Sequence, residues 1–214
     1  METVLTAPEI RVLGCLMEKE MATPEYYPLS LNALLNACNQ KSNREPVVAY
    51  DEKTVLRALQ ALREKRFILQ SDASRVTKYE QTFSKNRNLL RKEAALLCLL
   101  LLRGAQTVGE LRGRADRLYE FADLADVERT VNNLVEMGLV VRLARQPGRK
   151  ECRFAQLLGG ETAMEEAETE TADPVPPQPG QAERIRVLEE ELDCLKKEVA
   201  DLRQAFTDFR KQFE

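Results

Sequence analysis

The sequence predicts a mainly α-helical α+β protein with small β-hairpins, and three observations carry that prediction. Apolar residues recur at helical spacing over most of residues 1–158. Two short alternating strand pairs interrupt them, each following a third helix. The last 33 residues carry an unbroken heptad seam.

In chain order, Thr6 before Ala7, Pro8 and Glu9 is an N-cap signature, and Ile10, Leu13, Leu16 and Met17 give helix one a core stripe over about residues 7–21. Thr23-Pro24 ends it. Ser30 caps a second helix with Leu31, Leu34, Leu35 and Cys38 inward, and this runs into a polar turn that ends at Pro46. Asp51 or Thr54 caps a third helix, with Val55, Leu59 and Leu62 inward. Strands 67–70 and 75–83 then flank the turn formers Ser71-Asp72-Ala73-Ser74.

The order then repeats. Helices are predicted over 89–102, 107–118 and 125–137, the last closed by Gly138, followed by strands 139–145 and 151–156. Val55, Leu59, Leu62 and Phe67-Ile68-Leu69 fall on Val127, Val131, Leu134 and Leu139-Val140-Val141 at a constant offset of 72. Three helices and a hairpin, twice over, is the order of tandem winged-helix (helix-turn-helix) units. The boundaries are 1–86 for the first unit and 87–158 for the second. Residues 159–181, rich in Glu, Thr, Ala and Pro, read as a disordered acidic linker, and 182–214 as a C-terminal coiled-coil helix.

Strings at residues 13–46, 75–80 (Arg-Val-Thr-Lys-Tyr-Glu), 101–112 (Leu-Leu-Arg-Gly-Ala-Gln-Thr-Val-Gly-Glu-Leu-Arg), 120–123 and 142–149 closely resemble the YceH-like family of uncharacterised bacterial proteins. The resemblance covers most of 5–158 and implies a tandem winged-helix fold. It brings no activity and no functional residue with it.

Composition excludes much. The chain has no histidine and no tryptophan, so His-based triads and His metal ligands are absent. Five cysteines, widely separated and without a C-x-x-C, indicate neither a disulfide framework nor a zinc site, which fits a reducing cytoplasm. Cys15 and Cys38 lie on apolar faces and read as small core residues. No Gly-rich phosphate loop and no membrane-spanning run occurs, and we expect a non-enzymatic protein without a cofactor. The formal charge of −3 averages unlike segments: residues 1–158 carry 25 bases and 20 acids, whereas 159–181 hold six acids and no base.

Two function classes stay open. For nucleic acid, DNA above all, the third helix would read a groove with Lys53, Arg57, Gln60 and Arg63, while Arg75 and Lys78 on the wing meet phosphates. The polar stretch Asn39, Gln40, Lys41, Asn43 and Arg44 suits base edges, phosphates or a polar protein surface. The second unit adds Arg112, Arg114 and Arg117 around its second helix and Arg142, Arg145, Arg149, Lys150 and Arg153 on its hairpin, but the second reading helix, with Asp126, Glu128 and Glu136, is acidic. The other class is a protein-docking scaffold. For the tail, Ile185, Leu192, Val199 and Phe206 at a with Leu188, Leu195, Leu202 and Phe209 at d predict a parallel homodimer through 185–213. The g and e charges of a parallel pair, Arg184 with Glu189, Glu191 with Lys196 and Glu198 with Arg203, are all opposite.

Overall fold

The computed structural model describes residues 4–72, 76–145 and 151–160, all within one compact unit. The linker from residue 161 and the heptad seam lie outside the described residues, as do Arg75, Arg149 and Lys150.

Helix α1 (Ala7–Ala22) opens the chain, with the Thr6 N–H donating to Glu9 Oε2 at 2.6 Å. A 3-10 turn (Pro24–Tyr26) and strand β1 (Leu29–Ser30) lead to α2 (Leu31–Cys38), where Ser30 Oγ accepts from the Ala33 N–H. Helix α3 (Glu52–Glu64) is capped by Asp51, not Thr54: its carboxylate accepts from the Thr54 N–H at 2.9 Å. Strands β2 (Ile68–Ser71) and β3 (Lys78–Gln81) complete an antiparallel sheet of order β1-β3-β2. The short helix α4 (Phe83–Asn86), too brief to leave a periodicity, turns the chain into the second half, and Phe83 is fully buried edge-on to Phe67.

The second half repeats the first. It comprises α5 (Arg91–Arg103), β4 (Gln106–Thr107), α6 (Val108–Ala115), α7 (Leu124–Glu136), β5 (Val140–Arg142) and β6 (Arg153–Gln156), with sheet order β4-β6-β5. The likeness reaches side chains. Ile68 pairs with Gln81 and Val140 with Gln156, and each glutamine then accepts the N–H three residues on, from Ser84 and from Gly159. After α3 and α7 the chain enters the left-handed region at the same place, at Arg66 (φ 59°) and Gly138 (φ 70°). Only the second of these has the glycine that announces it.

The two halves share one core. Helix α1 packs along α5 with Val12, Leu13, Leu16, Leu96, Leu97 and Leu100 all at most 1% exposed. The Leu5 N–H donates to Leu158 O at 2.7 Å, so the chain's first described turn is tied to the end of the second half. Gly159 and Gly160, expected in the linker, belong to this closure, for the Gly160 N–H donates to Leu157 O.

Candidate functional site

Helix α3 owes its place to one face. Val55, Ala58, Leu59 and Leu62 are buried at spacings of three and four, which forces Lys53, Leu56, Arg57, Gln60, Arg63 and Glu64 into solvent. Among the described residues Lys53 and Arg57 make no hydrogen bond or ion pair, though both charges act on Asp51 through space. Arg63 is anchored: its Nη1 donates to Gln70 Oε1 at 2.9 Å, and Gln70 donates on to Asp72, which also accepts from Thr77 Oγ1 at 2.8 Å. This chain of polar contacts holds the β2–β3 hairpin against α3. Between them lies a shallow groove of about 350 Å³ lined by Leu56, Arg57, Gln60, Arg63, Gln70 and Tyr79. Lys78 stands on β3, half-buried. Asp51, at the N-terminus of α3, has its carboxyl held below the usual range by its hydrogen bonds with Thr54 and by Lys53 and Arg57 nearby.

The polar stretch after α2 is put to another use. Arg44 is withdrawn from the contact set: its side chain is 0% exposed, its Nε donates to Ala37 O, and its two terminal nitrogens grip both oxygens of Glu18 at 3.0 and 2.6 Å. Gln40 Oε1 and Asn43 O accept from the same guanidinium. Asn39 is likewise spent, since its amide both donates to Tyr50 O and accepts from the Tyr50 N–H at 2.8 Å, closing the loop from α2 to α3. Asn43 accepts from Arg103 of α5. Lys41 alone of these residues stays exposed with no such bond to the described residues.

Sequence reading missed this because an Asn-rich turn looks the same whether it faces solvent or braces a neighbouring helix. The available signal was length. Thirteen residues join α2 to α3, against eight between α6 and α7, and the surplus is the segment that packs on α1 and α5. Burial alone would raise the Glu18 carboxyl, but the Arg44 guanidinium outweighs it and holds that carboxyl below the usual range.

In the second half, the face equivalent to the α3 contact face carries Glu128, Arg129, Asn132 and Glu136, all exposed. Arg129 lies 3.7 Å from Asp126, which Lys92 also approaches at 3.3 Å. Arg142 and Arg145 are exposed beside the second hairpin, Arg142 donating to Cys152 Sγ at 3.5 Å. Cys15, Cys38 and Cys98 are buried in the core. Among the described residues no group of three or more His, Cys, Asp or Glu could hold a metal, and no helix is long and apolar enough to cross a membrane.

Residues 5–149 match the family described as "Protein of unknown function, DUF480". The chain is 53% identical over 219 residues to a UPF0502 protein of Pelobacter propionicus and 53% identical over 215 residues to one of Solibacter usitatus. It is 52% identical over 220 residues to a UPF0502 protein of Geobacter sulfurreducens, and all three alignments cover 100% of both chains. The matched family span and the full-length relatives at this identity agree: this chain belongs to the DUF480/UPF0502 family of uncharacterised bacterial proteins.

Proposed function

We propose that the chain is a non-enzymatic tandem winged-helix protein that binds nucleic acid, duplex DNA first, through the first of its two units. The observation that carries this reading is the exposed face of α3, where among the described residues Lys53 and Arg57 make no hydrogen bond or ion pair and Gln60 and Arg63 lie beside them along the hairpin groove. Exposed bases along a third helix are the chemistry that meets phosphates and base edges. The acidic face of α7 argues that the second unit does not enter a groove and serves as scaffold instead.

Fluorescence anisotropy with labelled duplex and single-stranded DNA tests this. We expect binding that weakens steeply between about 50 and 200 mM salt, in proportion to the phosphates neutralised. Arg57→Glu/Arg63→Glu should weaken it by about 10- to 100-fold. A protein with no measurable affinity for either DNA form at low salt would defeat the proposal.

One observation favours protein docking as a second reading: Leu56, 40% exposed, lines the same groove. Binding there would be nearly indifferent to salt.

The proposal also includes a parallel homodimer through residues 185–213, supported by the heptad seam from Ile185 to Phe209 and its complementary g and e charges. Light scattering should give twice the chain mass for the intact protein and the single mass for Leu195→Lys/Leu202→Lys. A monomeric wild type, or a variant of unchanged mass, would end that part.

A further inference from the structure

Beyond the α3 face, a second cavity of about 190 Å³ opens where the two halves meet. Its wall draws on α1, the long α2–α3 loop, α5 and the segment from α6 to Leu118, so no single element builds it. The lining is unusual in charge: Lys19, Arg103, Arg114 and Arg117 converge against one acid, Glu18. Glu18 is already committed, both its oxygens lying on the buried Arg44 while Lys19 stands further off at 3.4 Å.

The arginines are held mostly by neutral groups. Arg103 donates to Asn43 Oδ1, and Arg114 Nη1 donates to the buried Gln106 at 2.7 Å. Glu110 lies 3.7 Å from Arg114, and Arg153 already takes both its oxygens at 3.2 Å. Arg117 has no hydrogen bond or ion pair among the described residues. Arg103 lies below the usual guanidinium range, through burial first and then the like charge of Arg114, with Glu45 pulling the other way.

Four cations gathered over a concavity repel one another, and a multiply charged anion seated among them removes that repulsion while satisfying the forked N–H donors. Uncharged Gln40, Ser42 and Asn43 also line it, and although the Gln40 and Asn43 side-chain carbonyls accept from Arg44 and Arg103, their amide N–H groups and the Ser42 hydroxyl can donate to the rest of such a ligand. The volume suits a phosphate group with a small attached body, and it is well below the range of drug-sized pockets.

We propose that this cavity is a binding site for a small phosphate-bearing ligand, held by Arg103, Arg114, Arg117 and Lys19, which clamps the two halves together. Because the site draws on both halves, occupancy would stabilise the folded unit, and it is separate from the α3 face proposed for DNA. A backbone phosphate of DNA offers the same chemistry, and the size of the cavity favours the small ligand.

The test uses the full chain with inorganic phosphate, pyrophosphate and AMP as probes, followed by calorimetric titration and thermal unfolding, against chloride at matched ionic strength. We expect saturable one-site binding of at least one probe and a rise in Tm that grows with its concentration. The variant Lys19→Gln/Arg117→Gln removes two charges without removing a hydrogen bond to the backbone. It should bind that probe at least about 10-fold more weakly, as expected for the loss of charge-assisted contacts, while unfolding without ligand at or above the wild-type Tm.

Titration of the same variant with duplex DNA separates this site from the α3 face, and DNA affinity should be unchanged whether or not the α3 proposal holds. No saturable binding of any of the three probes would overturn the inference. So would equal affinity in wild type and variant, or loss of DNA affinity in the variant with no effect on the small probes.

Discussion

Replacing Arg44 with methionine should lower the unfolding free energy by about 3–5 kcal/mol, a large part of the ~5–15 kcal/mol that folds of this size possess. The guanidinium is 0% exposed and makes five hydrogen bonds: two to Glu18 and one each to Ala37 O, Asn43 O and Gln40 Oε1. Methionine fills much of the space but leaves the Glu18 carboxylate, 14% exposed, without its main counter-charge. The loss therefore comes more from the abandoned acid than from the missing attraction. Arg44→Met/Glu18→Leu should recover most of it, since an apolar pair of similar volume carries no desolvation penalty.

The same pair sets a pH dependence whose sign the variant reverses. In the wild type, Glu18 ionises more readily folded than unfolded, so its contribution is complete above the unfolded carboxylate value and is lost as pH falls through the lower folded one. In Arg44→Met only burial and the weaker Lys19 contact remain, and burial raises the carboxyl. The variant should then gain stability relative to wild type as pH falls from about 7 towards 5, as Glu18 takes up a proton. Urea unfolding of the three proteins across that range is the measurement. A loss under about 1 kcal/mol, or a double variant no better than the single, would show that the pair does not bear the load assigned to it.

Gly14→Val should cost about 1–3 kcal/mol even though it removes a glycine from the middle of a helix. Helix propensity points the other way, because an interior glycine is worse than alanine by about 1 kcal/mol and valine lies between them. Packing decides. A Cβ at position 14 would stand 2.9 Å from Leu102 Cδ2, 3.0 Å from Leu102 Cγ and 3.2 Å from Leu101 Cβ, with both leucines in the shared core. Gly14 O also accepts from Cys98 Sγ at 3.4 Å, so any displacement of α1 from α5 breaks a buried contact. Valine's two further methyl groups must push the helices apart.

Gly113 in α6 is the control. A Cβ there meets nothing within 4 Å, so Gly113→Ala should stabilise by up to about 1 kcal/mol through propensity alone. Opposite signs at the two glycines, read by chemical unfolding, are the expected result. A neutral Gly14→Val would mean that α1 and α5 have room to adjust.

Much of the architecture was legible in the chain. The stripe at Leu13, Leu16 and Met17 placed α1 to within a residue or two, and that at Val55, Leu59 and Leu62 picked out the buried face of α3, because burial on one side leaves a period in the sequence. Strands β1 and β4, two residues each, left no such trace: they exist because β3 and β6 offer edges to pair with. Helix α4 went unpredicted, its first residue read as the end of a strand because Phe83 alternates with Tyr79 and Gln81 as readily as it starts a helical turn. Of the candidate contacts, Lys53, Arg57 and Gln60 emerge as exposed as their spacing implied, whereas Arg44 and Asn39 face inward.

The sequence by itself determined the repeat, since core positions 72 residues apart must fill equivalent interiors. It also determined which face of each amphipathic helix is available to a partner. Only the tertiary structure decided what the polar residues do. Whether an arginine meets solvent or a buried carboxylate depends on what lies across the loop, and Glu18 lies 26 positions from Arg44 with nothing in local pattern to link them. The basic cavity follows the same logic, for Lys19, Arg103 and Arg117 become neighbours only when α1 packs on α5. Apolar burial acts through a periodicity that one segment records on its own, while ion pairs act between segments, and only the folded chain brings those together.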